Sequence, residues 1–347
     1  MTVPCKIPHL MKLIINEPAV LRSSLGAVRY YQGVAKHLCW PGKIEKMRMR
    51  NVPGIFERIG EFLPHGRQDA ILWSPCHRGP VFARNHVVTV LDCLNIQYTY
   101  RDDWRLPLLR RTFALLLGNA TAVVTISDAT RDAVLDCFGI DPEKVVSIPG
   151  PADFRDEFAL GIAESPGADA DGSDFILMIT NTLPHKNTAR AAQALAASTA
   201  ARRGVKLRVV GSLDPEGMAL CAAAGLVVEQ YRKVEDAALR NWLRKSRFLF
   251  SPSLQEGLNL PVGEALSLGG NVLCSDIAVH REFYDGAVLF CDPLEPRAMT
   301  AAIDDALSRN APWKLPGPVR PRRTFADVAA GYRAIFERVA AGDFPGL

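Results

Sequence analysis

The chain has 347 residues, 48% hydrophobic and 22% charged, which is enough for two domains of ordinary globular composition. Lys and Arg total 41 against 37 Asp and Glu, a net charge of +4. That balance is too mild for a nucleic-acid binder, and no RNA- or DNA-binding motif accompanies it. No apolar run reaches the roughly 18 residues of a spanning helix. Lys6, His9 and Lys12 interrupt the stretch where a secretory leader would sit. The eight cysteines form no C-x-x-C pair, so they read as reduced thiols and not as a disulfide framework or zinc site. The expectation is a cytoplasmic protein with no metal.

Lys12 to Asn16 is a candidate first strand, followed by Pro18 and a loop. A helix opens near Leu25 and runs to about Leu38. Gly26 lies in its first turn; it is a packing glycine or, as the family resemblance given below implies, what remains of a glycine-rich loop that lets backbone approach donor phosphate or acceptor. Lys43, Lys46, Arg48 and Arg50 then mix with Trp40, Met47, Met49, Ile55 and Phe56. This reads first as a solvated charged face. It reads second as a patch for peripheral contact with an anionic membrane surface at the inner face. Ala70 to Ser74 and His86 to Leu91 are apolar runs of buried parallel strands. Asp92 ends the second run, and His77 lies between the two. Trp104 to Leu117 is a helix and Ala122 to Ile126 a strand. Ser127 caps the next helix. Val145 to Ile148 is the last strand of this half.

Glu164 to Asp174 is rich in Gly, Ala, Ser and Asp and reads as linker. Its Asp169 and Asp171 spell D-x-D without a preceding strand, so they read as solvated acids. The expected organisation is a first domain over 1–164, a linker over 165–174, a second domain over 175–310 and a closing segment over 311–347.

Phe175 to Ile179 opens the second domain as a strand. Asn181, Pro184, Lys186 and Asn187 follow, then a helix from Thr188 to Ala197. A lysine at a helix start runs against the helix dipole unless it meets an anion there. Lys206 to Gly211 is a strand and turn, Leu226 to Val228 a short apolar stretch, and Asp236 to Arg244 a helix. Phe248 to Phe250 then leads into a loop in which Gly257 is free to take an unusual backbone angle. Pro261 suits the first turn of a helix that stops at Gly269 and Gly270. Asn271 to Ser275 is the next strand.

This order puts two acids, Glu256 and Glu264, at the ligand edge of a doubly wound sheet. The loop amides of Gly257, Leu258, Asn259 and Leu260, with the helix start, favour phosphate. Glu264 would repel phosphate and suits a diol. The plainer alternative makes Glu264 a first-turn acid and Glu256 a solvated one. Arg297 to Leu307 and Thr324 to Ala341 are the remaining helices, separated by a Pro- and Arg-rich stretch.

Ser251 to Asp276, SPSLQEGLNLPVGEALSLGGNVLCSD, resembles the donor-site signature of the retaining glycosyltransferases of family 4. That signature is E-x7-E within a pattern like PS-x-x-EG-x-x-LP-x-x-EA. Pro252, Ser253, Glu256, Gly257, Leu260, Pro261, Glu264 and Ala265 all fall in place. The likeness continues through Asp276, Ile277, His280 to Glu282, Leu289, Phe290, Asp292 and Pro293. Pro184 to Asn187 is similar to the family's P-x-K-N motif, and 125–150 looks like the end of its N-terminal domain.

The resemblance implies an α/β protein of the GT-B fold, with two Rossmann-like doubly wound domains facing a central cleft. The final helix would cross back to the N-terminal domain. It also implies retaining transfer of a sugar from a nucleotide sugar, GDP-mannose first and a UDP-sugar second. The acceptor would be a glycan or polyprenyl-linked glycan in surface polysaccharide biosynthesis, with no further cofactor and no metal. Lys186 would stabilise the leaving diphosphate with the amides of Gly257 and Leu258, and Glu264 would hold the ribose hydroxyls. Glu256 would contact the donor sugar near its anomeric carbon, while Asn181, Asn259, Leu260 and Gly211 complete the donor-binding set.

Two departures stand out. Relatives end the second strand of the N-terminal half in H-D, and this chain has Leu91-Asp92. Asp92 first and His77 second are the candidates to replace that histidine, with His86 a third. Relatives also place an arginine where Thr180 and Asn181 stand. The rivals are a non-catalytic nucleotide-sugar-binding GT-B protein and a GT-B epimerase or phosphorylase. A dinucleotide oxidoreductase fits worse, because no strand ends in G-x-G-x-x-G.

Overall fold

A computed structural model describes residues 11–47, 68–97, 106–159, 174–309, 313 and 322–345. The chain divides into two compact units, one of 1–150 with 323–347 and one of 151–322.

The first unit is built on β1 (Lys12–Ile15), α1 (Glu17–Leu21), α2 (Leu25–His37), β2 (Ile44–Lys46), β3 (Ala70–Ser74), β4 (His86–Val90), α3 (Leu94–Gln97), α4 (Leu106–Asn119), β5 (Ala122–Thr125), α5 (Asp128–Phe138) and β6 (Val145–Ser147). Its sheet has the order β2-β1-β3-β4-β5-β6, with every pair parallel. Strands covered on both faces read as unbroken apolar runs, and β3, β4 and β5 are buried at every position. Short polar caps start the helices: Ser24 Oγ accepts from the Ala27 amide and Ser127 Oγ from the Thr130 amide. Strand β2 falls inside the basic stretch that the sequence assigned to a solvated face.

The second unit contains α6 (Arg155–Ala159), β7 (Phe175–Thr180), α7 (Thr188–Ala197), β8 (Lys206–Gly211), α8 (Pro215–Ala223), β9 (Val228–Tyr231), α9 (Asp236–Lys245), β10 (Leu249–Ser251), α10 (Leu260–Ser267), β11 (Val272–Ser275), α11 (Ala278–Tyr284), β12 (Leu289–Cys291) and α12 (Pro296–Ser308). Its sheet order is β12-β11-β10-β7-β8-β9, again parallel throughout. Its core joins Ile176, Met178, Leu207, Phe248 and Leu273 of the sheet to Leu195, Met299 and Ile303 of the helices. Strand β9 begins at Val228, two residues beyond the start of the apolar stretch expected there.

The boundary between the units lies at Gly150 and not at 164. The reason is local. The Phe154 amide donates to Ser267 Oγ at 2.9 Å. A Cβ at Gly263 would stand 2.8 Å from the Phe154 ring, so residues 151–154 lie against α10. The expected linker falls outside the described residues except for Asp174, whose carboxylate pairs with Arg247 at 2.7 Å.

The last helix, α13 (Phe325–Ala341), belongs to the first unit. Thr324 and Asp327 form a capping box at its start. Tyr332 shares hydrogen bonds with Thr89 at 2.8 Å and Tyr30 at 3.3 Å, and the Trp73 indole donates to Thr89 at 3.1 Å. Phe325 lies so close to α2 that a Cβ at Gly33 would come within 2.3 Å of its ring.

Candidate functional site

In an open parallel sheet, ligands bind beyond the strand C-termini where the strand order reverses. In the second unit that reversal falls between β7 and β10. Lys186 follows β7 and Glu256 follows β10, so two residues 70 positions apart meet there. Lys186 Nζ donates to Glu256 Oε1 at 2.6 Å, and Ser253 Oγ donates to the same oxygen at 2.6 Å. The Glu256 side chain is 9% exposed and that of Lys186 is 21% exposed. Glu256 is therefore not a solvated loop acid. Burial pushes its carboxyl up, but the Lys186 charge and the Lys186 and Ser253 hydrogen bonds outweigh that. The carboxyl is left below its ordinary value.

The loops around this pair are tied together. Asn187 is left-handed, with φ 57°, and its Nδ2 donates to the carbonyls of Pro252 at 3.1 Å and Pro293 at 2.7 Å. The Leu254 amide donates to the His185 carbonyl at 2.7 Å. Ser275 Oγ donates to the carbonyls of Ser251 and Ser253. The loops after β7, β10 and β12 thus carry one hydrogen-bonded frame. Lys186 sits in it just before the N-terminus of α7, whose open amides and dipole favour an anion.

Glu264 is 2% exposed. It is the fifth residue of α10 and lies beyond the first turn, which carries no acid. Simple complementing of the helix dipole does not account for an acid at that depth. The unusual backbone angle expected at Gly257 falls on Asn259, with φ 66° and ψ 63°. The Tyr284 hydroxyl lies 3.1 Å from the carbonyls of both Leu258 and Asn259 and shares its proton between them. Helix α10 ends as expected at Gly269, φ 77°, and the Gly270 amide returns to the Ala265 carbonyl at 2.8 Å.

Gly211 ends β8 opposite Thr180 with φ 113°, and a Cβ there would lie 1.7 Å from the Thr180 carbonyl oxygen. Only glycine fits that crossing beside the loop that leads to Lys186. Asn181 is exposed, and its Oδ1 accepts from the Leu183 amide of its own loop at 2.9 Å. It offers no substitute for the arginine of relatives.

Residues 174–309 match the family described as Glycosyl transferases group 1. A curated relative, the MMP alpha-(1->4)-mannosyltransferase of Mycolicibacterium hassiacum, is 24% identical over 256 residues, covering 69% of this chain and 60% of the relative. The chain thus spans about 60% of the length of the curated relative it matches. Among solved structures, WaaG, a glycosyltransferase involved in lipopolysaccharide biosynthesis, aligns with a TM-score of 0.60 at 14% identity over 97% of this chain and 100% of that one. Anabaena HepE, solved in complex with UDP and glucose, aligns with a TM-score of 0.61 at 13% identity over 94% and 95%. The chain is similar to the glycosyltransferases of family 4. Its fold is GT-B.

In this GT-B chain the first-unit candidates Asp92, His77 and His86 make local contacts among the described residues. Asp92 Oδ1 accepts from the Leu94 amide at 3.1 Å, which starts the turn into α3. The His77 ring packs on Phe113 with centroids 4.9 Å apart. Burial, with Arg78 nearby, lowers its pKa to about 4. Its Nδ1 is buried with no hydrogen-bond partner among the described residues. His86 is buried and bonded to Ser74 Oγ at 2.9 Å, so it is a core histidine. Gly26 is exposed, and a Cβ there would meet only Ser24 Oγ at 4.0 Å. It is therefore not a packing glycine.

Trp40 is a core residue. Its indole donates to the Met11 carbonyl at 2.8 Å and meets Phe336 edge-on. Lys43 pairs with Glu45 at 2.8 Å and Lys46 with Glu17 at 2.7 Å. Arg48, Met49, Arg50, Ile55 and Phe56 lie outside the described residues, as do Asp169 and Asp171. Among the described residues no helix is long and apolar enough to cross a membrane. No group of three or more His, Cys, Asp or Glu is placed to hold a metal ion there either. Cys93 and Cys291 are each pushed by burial to a pKa of about 12, which keeps them as thiols.

Two features of the site were missed at the level of sequence. Asn187 straps three loops, and α11 carries both His280 and Tyr284 against the Glu256 loop. His280 is visible in the family-like SDIAVHRE segment, but nothing in that string says which way its ring faces.

Proposed function

We propose that the protein is a retaining glycosyltransferase that binds a nucleotide-sugar donor at the β7/β10 crossing. The observation that carries this reading is the Lys186–Glu256 contact at 2.6 Å at the strand reversal, with Glu264 buried in the helix that follows. Lys186, the α7 N-terminus and the amides of Gly257 and Leu258 take the diphosphate. Glu264 takes the ribose diol, which a carboxylate can bind with two acceptor oxygens. Glu256 faces the donor sugar near the anomeric carbon. The leaving diphosphate departs by electrostatic stabilisation from groups already in place. These residues carry the diphosphate charge between them, so transfer is expected to survive excess EDTA after dialysis.

GDP-mannose is the first-choice donor and a UDP-sugar the second. The mannosyltransferase relative supports the former and the UDP complex of HepE the latter. The acceptor is a glycan or polyprenyl-linked glycan presented at the cytoplasmic membrane face. A second reading, a non-catalytic nucleotide-sugar-binding GT-B protein, is favoured by the first unit, where Asp92, His77 and Gly26 form no common site.

The test is a thermal-shift panel of GDP, UDP, dTDP and ADP with their sugars, followed by proton NMR of the first-formed product. Retained anomeric configuration in an acceptor-linked product is expected. Stabilisation by a nucleotide sugar without transfer to any acceptor supports the binding protein. Free-sugar release points to an epimerase, and sugar phosphate to a phosphorylase.

A further inference from the structure

Helix α11 packs against the loop that joins Glu256 to Glu264, and His280 on that helix has no solvent exposure. Its Nδ1 lies 2.8 Å from the Ser275 carbonyl oxygen. A carbonyl only accepts, so Nδ1 carries the hydrogen. Its Nε2 lies 2.8 Å from Asn259 Nδ2. An amide nitrogen only donates, so Nε2 is bare and the imidazole is neutral. The flipped amide would require a charged imidazole, which complete burial disfavours, so the neutral ring and this amide orientation go together. The second Asn259 amide hydrogen goes to Ser251 Oγ at 2.8 Å.

Asn259 is the left-handed residue of the loop, three positions after Glu256 and five before Glu264. A non-glycine residue holds that conformation only when its surroundings over-determine it. Here His280 and Ser251 hold its side chain, while Tyr284, one turn further along α11, holds the Leu258 and Asn259 carbonyls.

We propose that His280 is a positioning residue of the donor site: as a neutral imidazole it locks Asn259 and with it the nucleotide-binding turn between Glu256 and Glu264, and protonation of Nε2 unlocks that turn. This rests on the donor-site reading above. The balance is simple. A proton from solvent occupies the Nε2 lone pair, the Asn259 N–H loses its acceptor, and two N–H groups face each other. The groups around His280 are Glu256, Lys186, Asp276, the Tyr284 ring at 6.3 Å and the Ser275 carbonyl. Burial lowers its pKa most. The Ser275 bond, Glu256 and Asp276 pull it up and Lys186 pushes it down, leaving it below the ordinary 6.5. The turn is therefore locked at neutral pH and opens on the acid side.

The experiment uses the full chain with GDP and UDP as probes. It compares wild type, His280→Gln and Asn259→Gly. The last keeps the left-handed backbone, which glycine adopts freely, and drops only the tether. Two-bond 1H–15N spectra of the imidazoles at pH 7.5, assigned by the signal lost in His280→Gln, are expected to show His280 neutral and protonated at Nδ1. Nucleotide affinity at that pH is expected to fall about tenfold or more in both variants, the scale of losing one or two hydrogen bonds. Amide exchange over 256–262 is expected to quicken in both.

Below pH 6.5 wild type is expected to lose affinity more steeply than Asn259→Gly. The latter then reports only the second ionisation of the nucleotide's own phosphate, near pH 6. A charged or Nε2-protonated His280 at pH 7.5 overturns the proposal. So do parallel pH profiles, or exchange and affinity in Asn259→Gly within twofold of wild type. If His280→Gln does not fold, Asn259→Gly alone decides. If wild type binds no nucleotide while the variant loops still loosen, the donor-site reading has failed, and a positioning role in nucleotide binding fails with it. The tether itself would then be confirmed as structural.

Discussion

The β7/β10 crossing of the second unit and the strand ends of the first unit share a parallel-sheet plan but differ in how they treat their polar residues. At the crossing, groups distant in sequence spend their hydrogen bonds on one another: Lys186 on Glu256, Asn187 on Pro252 and Pro293, and His280 on Asn259. In the first unit, Asp92 bonds to the turn that follows it and His77 leans on Phe113. A polar network that is satisfied across several loops holds a geometry and has the stiffness a binding site needs. The comparison is the structural basis for proposing donor recognition in the second unit.

The largest effect that would sharpen this contrast comes from Lys186→Ala. Removing one partner of a buried pair costs about 3–5 kcal/mol, and the partial exposure of Lys186 makes that an upper bound here. Nucleoside diphosphate binding is expected to drop more than about 100-fold, and nucleoside binding far less. Calorimetry with nucleoside, monophosphate and diphosphate reads the difference. Equal losses across the three would dissolve the division of roles between Lys186 and Glu264.

Next in size is Glu264→Gln. A hydrogen bond to a charged group contributes about 1.5–3 kcal/mol, or roughly 10- to 150-fold in affinity. The loss should be the same for mono- and diphosphate, because the proposed partner is the ribose. A larger loss for the diphosphate would place Glu264 on the phosphates instead.

Asp92→Asn should be small. The amide oxygen can still accept from the Leu94 N–H, so stability should change by less than about 1 kcal/mol and turnover by less than about threefold. Turnover slowed by about two orders of magnitude, at unchanged substrate affinity, would make Asp92 a chemical participant and break the comparison outright.

His77→Phe should have the smallest effect at neutral pH. It keeps the ring against Phe113 and removes the unpaired Nδ1, so stability at pH 7.5 should be unchanged or slightly raised. The sign reverses in acid. Because His77 titrates near 4 when folded and near 6.5 when unfolded, the unfolded chain binds more protons across that window. Wild type then loses stability as pH falls from about 6.5 towards 4. Thermal melts over pH 4–8 should show a flatter profile for the variant. Parallel profiles would mean that His77 is not buried neutral.

Most strands were legible because buried parallel strands are continuous apolar runs, as at 70–74, 86–90 and 175–180. The Glu256–Glu264 loop was legible through its proline, its glycines and the family-like spacing. Strand β2 was not, since three residues with an exposed–half-buried–exposed pattern carry no periodicity. Helix α11 was also hidden. It has seven residues and starts at Ile277 without a side-chain cap, so neither length nor capping announces it. The left-handed residue was assigned to Gly257 from glycine's freedom, whereas Asn259 takes it because His280 and Ser251 hold its amide. The Gly150 boundary depends on Phe154 reaching Ser267, a contact between positions 113 apart that no local pattern encodes.

The placement of α13 in the first unit has a temporal consequence. Tyr332 completes the hydrogen-bonded cluster of Thr89, Trp73 and Tyr30, yet the ribosome makes it only after the whole of 151–322. At about 5–20 residues per second that interval is on the order of ten to thirty seconds. The second unit is a single stretch of chain and can reach its native fold within it. The first unit must wait as a nascent sheet with its β3 face uncovered by α13. Folding order during translation thus runs opposite to the order of synthesis, and a chaperone that shields apolar strands has its longest opportunity on the half that emerged first.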